Sequence, residues 1–244
     1  MSTALEKAHN HKPAYRRLLV GFNHHVECRR VLDFAAHVAE VAEVDLAGVF
    51  VEEQELLELA RLPFSTEILH SSRQLRALDS ADVERDLRAL ADIMQNALRR
   101  VAEAARRQFS FRTVRGHLLR ELIAQAGAGD LVLLRTACVP WWAATPTAPE
   151  LSGPVVLLEP PAGANGSIAR LAGEIARAMK QQLVTLHSYS GPQSLRNLQA
   201  GLIITSVSMF KSDEWNGEIQ RFVDAAPCPV LIVPPGKPAA SEQA

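Results

Sequence analysis

The chain has 244 residues, with 26 basic and 27 acidic side chains and a formal net charge of -1 at pH 7. A nearly neutral chain is not attracted to polyanions, so we expect no nucleic acid partner. No apolar run approaches the roughly 20 residues that span a bilayer, and the polar start lacks the apolar core of a signal peptide. The composition therefore predicts a cytoplasmic protein without a membrane partner.

The three cysteines are odd in number, far apart and outside any CxxC pattern. They are Cys28, Cys138 and Cys228. This usage argues against a disulfide framework and against a structural zinc site, and it predicts reduced thiols.

The first half of the chain alternates short apolar runs with helical patterns. Residues 1–14 are polar and are predicted to form a flexible leader. Residues 17–22 and 46–51 have the length and apolar content of buried strands, and the spacing between them predicts a helix, which completes a βαβ unit. Residues 52–78 are acidic and leucine-rich, which predicts one or two short helices or a flap that faces a partner.

A long helix is predicted next, over residues 79–109, with Asp79 or Ser80 as its N-cap. A strand, a short helix and a fully buried strand then follow, at residues 109–114, 117–126 and 131–134.

The second half repeats this order in a shorter form. Its predicted strands lie at residues 154–158, 183–187, 202–205 and 229–233. Its predicted helices lie at residues 167–179, 194–198 and 218–225. The alternation predicts an α/β fold with a doubly wound, open parallel sheet. The sheet is built from two related halves, at residues 15–150 and 151–236, before a flexible tail at 237–244.

Three segments resemble the universal stress protein family: RRLLVGFNHHVECRRVLDFAAHVAE at 16–40, VRGHLLRELIAQAGAGDLVLL at 114–134 and APCPVLIVPP at 226–235. The resemblance implies a tandem, divergent member whose second half is shortened, with the family's adenine nucleotide alpha hydrolase-like fold. Family members usually pair through their last strand, which implies a homodimer or an intramolecular pseudo-dimer here. In this chain that strand comprises Pro229, Val230, Leu231, Ile232 and Val233.

Residues 154–158 allow two assignments within this resemblance. They form either the last strand of the first half or the first strand of the second half. We favour the second assignment, which places Glu159 where Asn23 stands in the first half. The first half then lacks its own final strand.

Many family members bind ATP through an acidic residue after the first strand and a glycine motif, G-x2-G-x9-G-[ST], after the fourth. Glycines let backbone N–H groups close on phosphates without obstruction. The corresponding segments here are residues 131–153 and 202–220, whose only glycines are Gly153 and Gly217, respectively. Neither segment matches the motif, so we expect no cofactor.

A modified pocket that still accepts an adenine nucleotide is the alternative. The family pattern and the glycine-bearing turn at 160–167 then give Asn23, Val49, Glu159, Gly163, Gly166 and Ser167 as its residues. The sequence favours Ser167 as a plain helix N-cap. The leading hypothesis is a non-catalytic module that contacts an unknown protein partner in a stress response or in regulation.

Trp141 and Trp142 stand between prolines in a chain with only 5% aromatic residues. We expect them to plug the space left by the missing phosphate loop. The alternative is that they form an exposed interface patch.

We predict no catalytic residue and no metal site. A serine nucleophile on a tight turn needs a G-x-S-x-G pattern, which is absent. Transition metals accept side chains such as those of His24, His25, Glu27 and Cys28, which follow the first predicted strand. Neighbouring residues on one loop seldom supply four oriented ligands, so the pattern favours a polar loop.

Overall fold

The computed structural model describes residues 15–23, 28–69, 74–127, 129–135, 153–159, 166–188, 191, 194–195, 198–210 and 215–233. Its strands are β1 (Arg17–Phe22), β2 (Asp45–Glu53), β3 (Thr66–Leu69), β4 (Gln74–Ala77), β5 (Phe109–Gly116), β6 (Asp130–Leu134), β7 (Val155–Leu158), β8 (Leu183–Leu186), β9 (Leu202–Ser206) and β10 (Val230–Val233). Its helices include α1 (Cys28–Val41), α2 (Gln54–Ala60), α3 (Ser80–Ala104), α4 (Leu118–Gln125), α5 (Gly166–Ala178) and α6 (Trp215–Ala225).

One sheet of eight strands organises the molecule, in the order β5-β2-β1-β6-β10-β9-β7-β8. Every neighbouring pair in it is parallel except β6 and β10, which are antiparallel. The sheet therefore consists of two parallel groups that run in opposite directions. We call β5-β2-β1-β6 the first group and β10-β9-β7-β8 the second group. The predicted α/β class with an open, mostly parallel sheet is confirmed.

Helices cover both faces of the sheet because the central strands are apolar on both sides. In β1, for example, Leu18 and Val20 join the core formed with α1, α3 and α5, whereas Leu19 joins the core formed with α4 and α6. This two-sided burial explains why the strand sequences are continuous apolar runs rather than alternating ones.

Residues 52–78 form α2 and then an antiparallel hairpin of β3 and β4, which is a separate two-stranded sheet. The sequence predicted helices or a flap here and missed the hairpin. The four residues between the strands, HSSR, contain no Asn-Gly or Asp-Gly pair, so the strongest local signal for a hairpin is absent.

The predicted cap of the long helix is confirmed, since Asp79 Oδ1 accepts a hydrogen bond from the Ala81 amide at 2.7 Å. The helix ends at Ala104, earlier than the predicted 109, because Arg106 takes a positive φ of 54° and the chain turns into β5.

Two glycines set how closely β7 approaches β9. Gly153 has a φ of +151°, and a Cβ added to it would lie 2.6 Å from the Gly201 backbone nitrogen. The Gly201 amide also donates to the Pro154 carbonyl at 3.0 Å. Only glycine fits this close backbone crossing at the start of β7.

We expect Gly153→Ala to lower the free energy of unfolding by about 2 kcal/mol, because the new methyl group strains the crossing with Gly201. Gly173→Ala in the middle of α5 is the matched control. A Cβ there meets nothing within 4 Å, so this change should raise stability by up to about 1 kcal/mol. Urea denaturation followed by circular dichroism measures both, and equal effects of the two variants would contradict the crossing.

Candidate functional site

Open α/β sheets bind ligands at the carboxyl ends of strands, where the strand order reverses. In the first group the chain moves outward from β1 to β2 and β5, and β6 lies on the other side of β1. In the second group it moves from β7 to β8, and β9 lies on the other side of β7. The strands of the two groups run in opposite directions. The carboxyl ends at the reversal point β1/β6 therefore lie at one end of the strands, and those at β7/β9 lie at the opposite end.

At the first reversal point a side-chain hydrogen bond connects the ends of two strands. Asn23, which follows β1, is 4% exposed, and its Nδ2 donates to Glu53 Oε1 at 2.7 Å at the end of β2. Arg135, which follows β6, is 3% exposed. The structure thus pairs the predicted Asn23 with Glu53, a residue that the sequence did not single out.

Arg135 also acts on a neighbouring thiol. Burial raises the pKa of Cys228 to about 12, and the positive charge of Arg135 opposes part of that rise. A thiol with so high a pKa is almost wholly protonated at neutral pH, so Cys228 is a poor nucleophile and a poor metal ligand.

The second reversal point holds polar atoms without partners. Glu159 follows β7 and is 5% exposed, and its Oε1 has no hydrogen-bond partner in the described part of the chain. The fully buried Thr205 Oγ1 on β9 also has none there. Leu158 pairs with Thr205 in the parallel register, so Glu159 and Thr205 point to opposite faces of the sheet. Unpaired buried oxygens are costly unless water or a ligand supplies donors.

The remaining nucleotide candidates do not assemble into one pocket. Val49 pairs with Gly21 and is 1% exposed within the core. Gly166 begins α5, and Ser167 lies in its first turn, where its side chain hydrogen-bonds to Tyr15. The preferred interpretation of Ser167 as the residue that caps α5 is therefore wrong, since the helix already includes Gly166.

Several predicted residues lie outside the described residues. These are Gly163, Trp141, Trp142, His24, His25 and Glu27. Cys28 begins α1, but its side chain is likewise outside the described part. Among the described side chains, no three His, Cys, Asp or Glu residues cluster as metal ligands.

The predicted pairing strand lies inside the sheet. Residues 229–233 are buried, and β10 pairs with β9 on one edge and with β6 on the other. Both edges are occupied within the chain, so pairing of two chains through this strand would require the sheet to open. No helix in the described residues is long and apolar enough to cross a membrane.

The segment predicted as short helices or a flap that faces a partner exposes several large apolar side chains. They lie on α2, the following turn and the hairpin, and we call them the hairpin surface. Its members, with the exposed fraction of each, are Phe64 (92%), Leu75 (71%), Ile68 (70%), Leu62 (57%) and Leu59 (50%). Large apolar residues clustered in an acidic stretch around Pro63 were the available signal in the sequence.

The fold and its polar strand ends define the class of protein as a doubly wound α/β protein with two reversal points. No family model matches the sequence, and no curated protein matches it. A number of solved structures are similar to it, including the following three.

A universal stress protein from Archaeoglobus fulgidus is 11% identical, with a TM-score of 0.42, over 93% of this chain and 100% of that one. A protein of the universal stress protein family from Burkholderia pseudomallei is 12% identical, with a TM-score of 0.34, over 72% and 98%. A putative universal stress protein from Pseudomonas aeruginosa is 13% identical, with a TM-score of 0.44, over 91% and 94%.

We expect Glu159→Gln to raise the free energy of unfolding by about 1 kcal/mol at pH 7, because it removes a buried charge with an unpaired oxygen. Glu52→Gln is the matched control, since Glu52 is 7% exposed but accepts from Arg115 Nε at 2.8 Å. Its loss should lower stability by about 1 kcal/mol. Chemical denaturation measures both variants, and a comparable loss for Glu159→Gln would reveal a native partner of that carboxylate.

Proposed function

We propose that the chain is a universal-stress-protein-like, non-catalytic module that acts through protein contacts in a stress response or in regulation. The hairpin surface carries this proposal. Among the described residues, five large exposed apolar side chains fall within residues 59–75, and groups of exposed apolar side chains mark interaction sites more often than isolated ones do. The sequence resemblance supplies the class, and the surface supplies the mode of action.

The hairpin surface is held in place by specific bonds. Ser65 Oγ donates to the Leu59 carbonyl at 2.6 Å, and the Leu78 amide donates to the Ser65 carbonyl at 2.9 Å. An isolated two-stranded hairpin is marginally stable in water, so packing on a partner would stabilise this one further. These hydrogen bonds connect the hairpin to the end of α2 and to the turn that follows it, so the apolar side chains are held by ordered backbone.

Two features argue against the ATP-binding mode of the family. Asn23 replaces the acidic residue, and its amide is engaged by Glu53. Neither half carries the glycine motif. The sequence of the first half thus lacks both the glycine motif that supplies phosphate donors and the acidic residue that follows the first strand in the family.

We also propose that the two groups of strands correspond to two related halves, at residues 15–150 and 151–236, with β7 as the first strand of the second half. The winding supports this proposal. In the first group β2 lies on one side of β1 and β6 lies on the other. In the second group β8 lies on one side of β7 and β9 lies on the other. In the second group β8 has no described strand outside it at the position that β5 fills in the first group.

A small-molecule sensor that binds an adenine nucleotide is the second candidate. The observation that favours it is Glu159, a buried carboxylate at a reversal point with an unpartnered oxygen. Glu159 lies at the carboxyl end of β7, and the next helix along the chain, α5, begins at Gly166. The N–H groups at the start of a helix favour an anion.

We expect ATP with magnesium to bind with a dissociation constant weaker than about 0.1 mM, or near -5.5 kcal/mol. Isothermal titration calorimetry of the full chain and of Glu159→Gln tests this. Micromolar binding that Glu159→Gln abolishes would make the sensor the function.

Cross-linking in cells that express the chain natively, followed by mass spectrometry, tests the protein contacts. We expect reproducible cross-links to one or a few proteins. Their absence, together with a co-purified small molecule, would refute the contact mode.

A further inference from the structure

We propose that the outer edge of β5 binds an extended, acidic segment of a partner protein, which adds a strand to the main sheet. This inference rests on the proposed function and gives it a second contact surface besides the hairpin surface. It is argued from the main-chain groups of the edge, from its charges and from the two faces of the strand.

β5 is the longer of the two edge strands of the main sheet. It has eight residues, whereas β8 at the other edge has four. All eight residues pair with β2 in one unbroken parallel register, and no described strand lies on the other side of β5. The strand therefore has no bulge, and it contains no proline. Two common features that prevent a further strand from adding to an edge are thus absent.

Half of the main-chain groups of β5 point away from the sheet. The carbonyl of Gln108, just before the strand, accepts from the Leu46 amide at 2.9 Å, so this group points towards β2. Successive residues of a strand direct their main-chain groups to alternate sides, so the outward N–H and C=O groups can be assigned. They belong to Phe109, Phe111, Thr113 and Arg115. These groups can hydrogen-bond to an added strand of matching length.

The charges on β5 favour an acidic occupant. Residues 104–120 contain five arginines and no acidic residue. Arg115 is already engaged, because its Nε donates to Glu52 at 2.8 Å and its Nη2 lies 3.6 Å from Glu84. Arg112 in the middle of the strand is exposed and has no ion pair with a described residue. A carboxylate on a neighbouring strand would face Arg112 directly, and opposite charges in such cross-strand pairs stabilise a sheet.

The acidic side chains next to β5 lie at its ends and leave the charge of Arg112 unpaired. Asp45 lies at the amino end, where it accepts from the backbone amide that precedes β5. Glu121 of α4 lies against the last residue of β5. Between these ends the neighbouring strand is apolar, since Arg112 pairs in register with Val49. The middle of the edge therefore keeps a positive charge for a partner.

The two faces of β5 differ, and this difference sets the pattern of the added strand. Phe109 and Phe111 are partly buried on the face covered by α3, and their ring centroids are 6.5 Å apart. Ser110 and Arg112 lie on the opposite face, by the alternation of side chains along a strand. An added strand with apolar residues on the first face and acidic residues on the second would match both. We therefore expect acidic and apolar residues in alternation.

The same features disfavour other occupants. Pairing of two copies of the chain through β5 would bring two arginine-rich strands together, and like charges across a strand pair or an interface weaken it. A nucleic acid would match the positive charge, but it could not continue the ladder of main-chain hydrogen bonds. An acidic polypeptide is the occupant that satisfies both the charge and the main-chain groups.

Fluorescence anisotropy with labelled synthetic peptides tests the proposal on the full chain. The probe has about ten residues, slightly more than the length of β5, with valine and glutamate in alternation. One matched probe has lysine in place of glutamate. Another carries N-methyl groups on two adjacent central residues, which keeps the charges but removes main-chain donors. We expect only the unmodified glutamate peptide to bind, with an affinity that falls as salt rises.

Variants of the protein separate the contributions of charge and main chain. Arg112→Gln should weaken binding about threefold or more, whereas Arg170→Gln at an exposed site on α5 should not. Thr113→Pro removes an outward main-chain donor and should weaken binding about tenfold or more, whereas Thr113→Val should not. Circular dichroism confirms that each variant is folded. If Thr113→Pro does not fold, the N-methylated peptide makes the same test on the partner's side.

A photoreactive amino acid introduced at Ser110 tests the occupant in the native host cells. We expect it to capture a protein through a peptide in which acidic and apolar residues alternate, as read by mass spectrometry. Capture at Phe64 of the hairpin surface but never at Ser110 would overturn the inference and leave the proposed function intact. Capture at neither position would instead count against the proposed function.

Four further results would overturn the inference. They are no binding of the glutamate peptide, equal binding of the lysine peptide, equal binding of the N-methylated peptide, and self-association that Thr113→Pro abolishes. Tighter binding of single-stranded DNA than of the glutamate peptide, weakened by Arg112→Gln, would make a nucleic acid the occupant and would overturn it as well.

Discussion

The antiparallel junction between β6 and β10 is the constraint on which the rest of the structure depends. Val230, Leu231 and Ile232 pair with Leu134, Leu133 and Val132, and all six are buried. The junction joins two parallel groups into one sheet and removes an edge from each, and exposed apolar edges are prone to unwanted pairing. It also fixes the opposite directions of the groups, and thereby the opposite positions of their carboxyl ends.

This opposition determines what the polar residues can do together. Asn23 follows β1 and Glu159 follows β7. Because these strands run in opposite directions, the two residues lie at opposite ends of the sheet's strands and cannot contribute to one pocket. The contact between Tyr15, before β1, and Ser167, after β7, reflects the same geometry. The amino end of one group meets the carboxyl end of the other. Asn23 and Glu159 would therefore belong to separate sites.

Strands and helices of the main sheet were predictable because each is a continuous apolar run or a regular amphipathic stripe. β1 was predicted at its observed bounds, and α3 was predicted with Asp79 or Ser80 as its cap, of which the structure shows Asp79. The antiparallel junction was not predictable in detail, since pairing between distant strands leaves no local pattern. The hairpin was not predictable either, because the residues between its strands include no glycine or asparagine. The hydrogen bond from Asn23 to Glu53 was not predictable because it depends on the parallel register of β1 and β2.

Because β10 pairs with β6 and β9 within the chain, any association with another protein would use a different surface. The outer edge of β8 is one option, but Leu183 and Val184 are only 38% and 37% exposed on a strand of four residues. The hairpin surface exposes larger side chains to a greater extent. Apolar area drives association, so the proposed protein contacts would bury more apolar surface there than at the edge of the sheet.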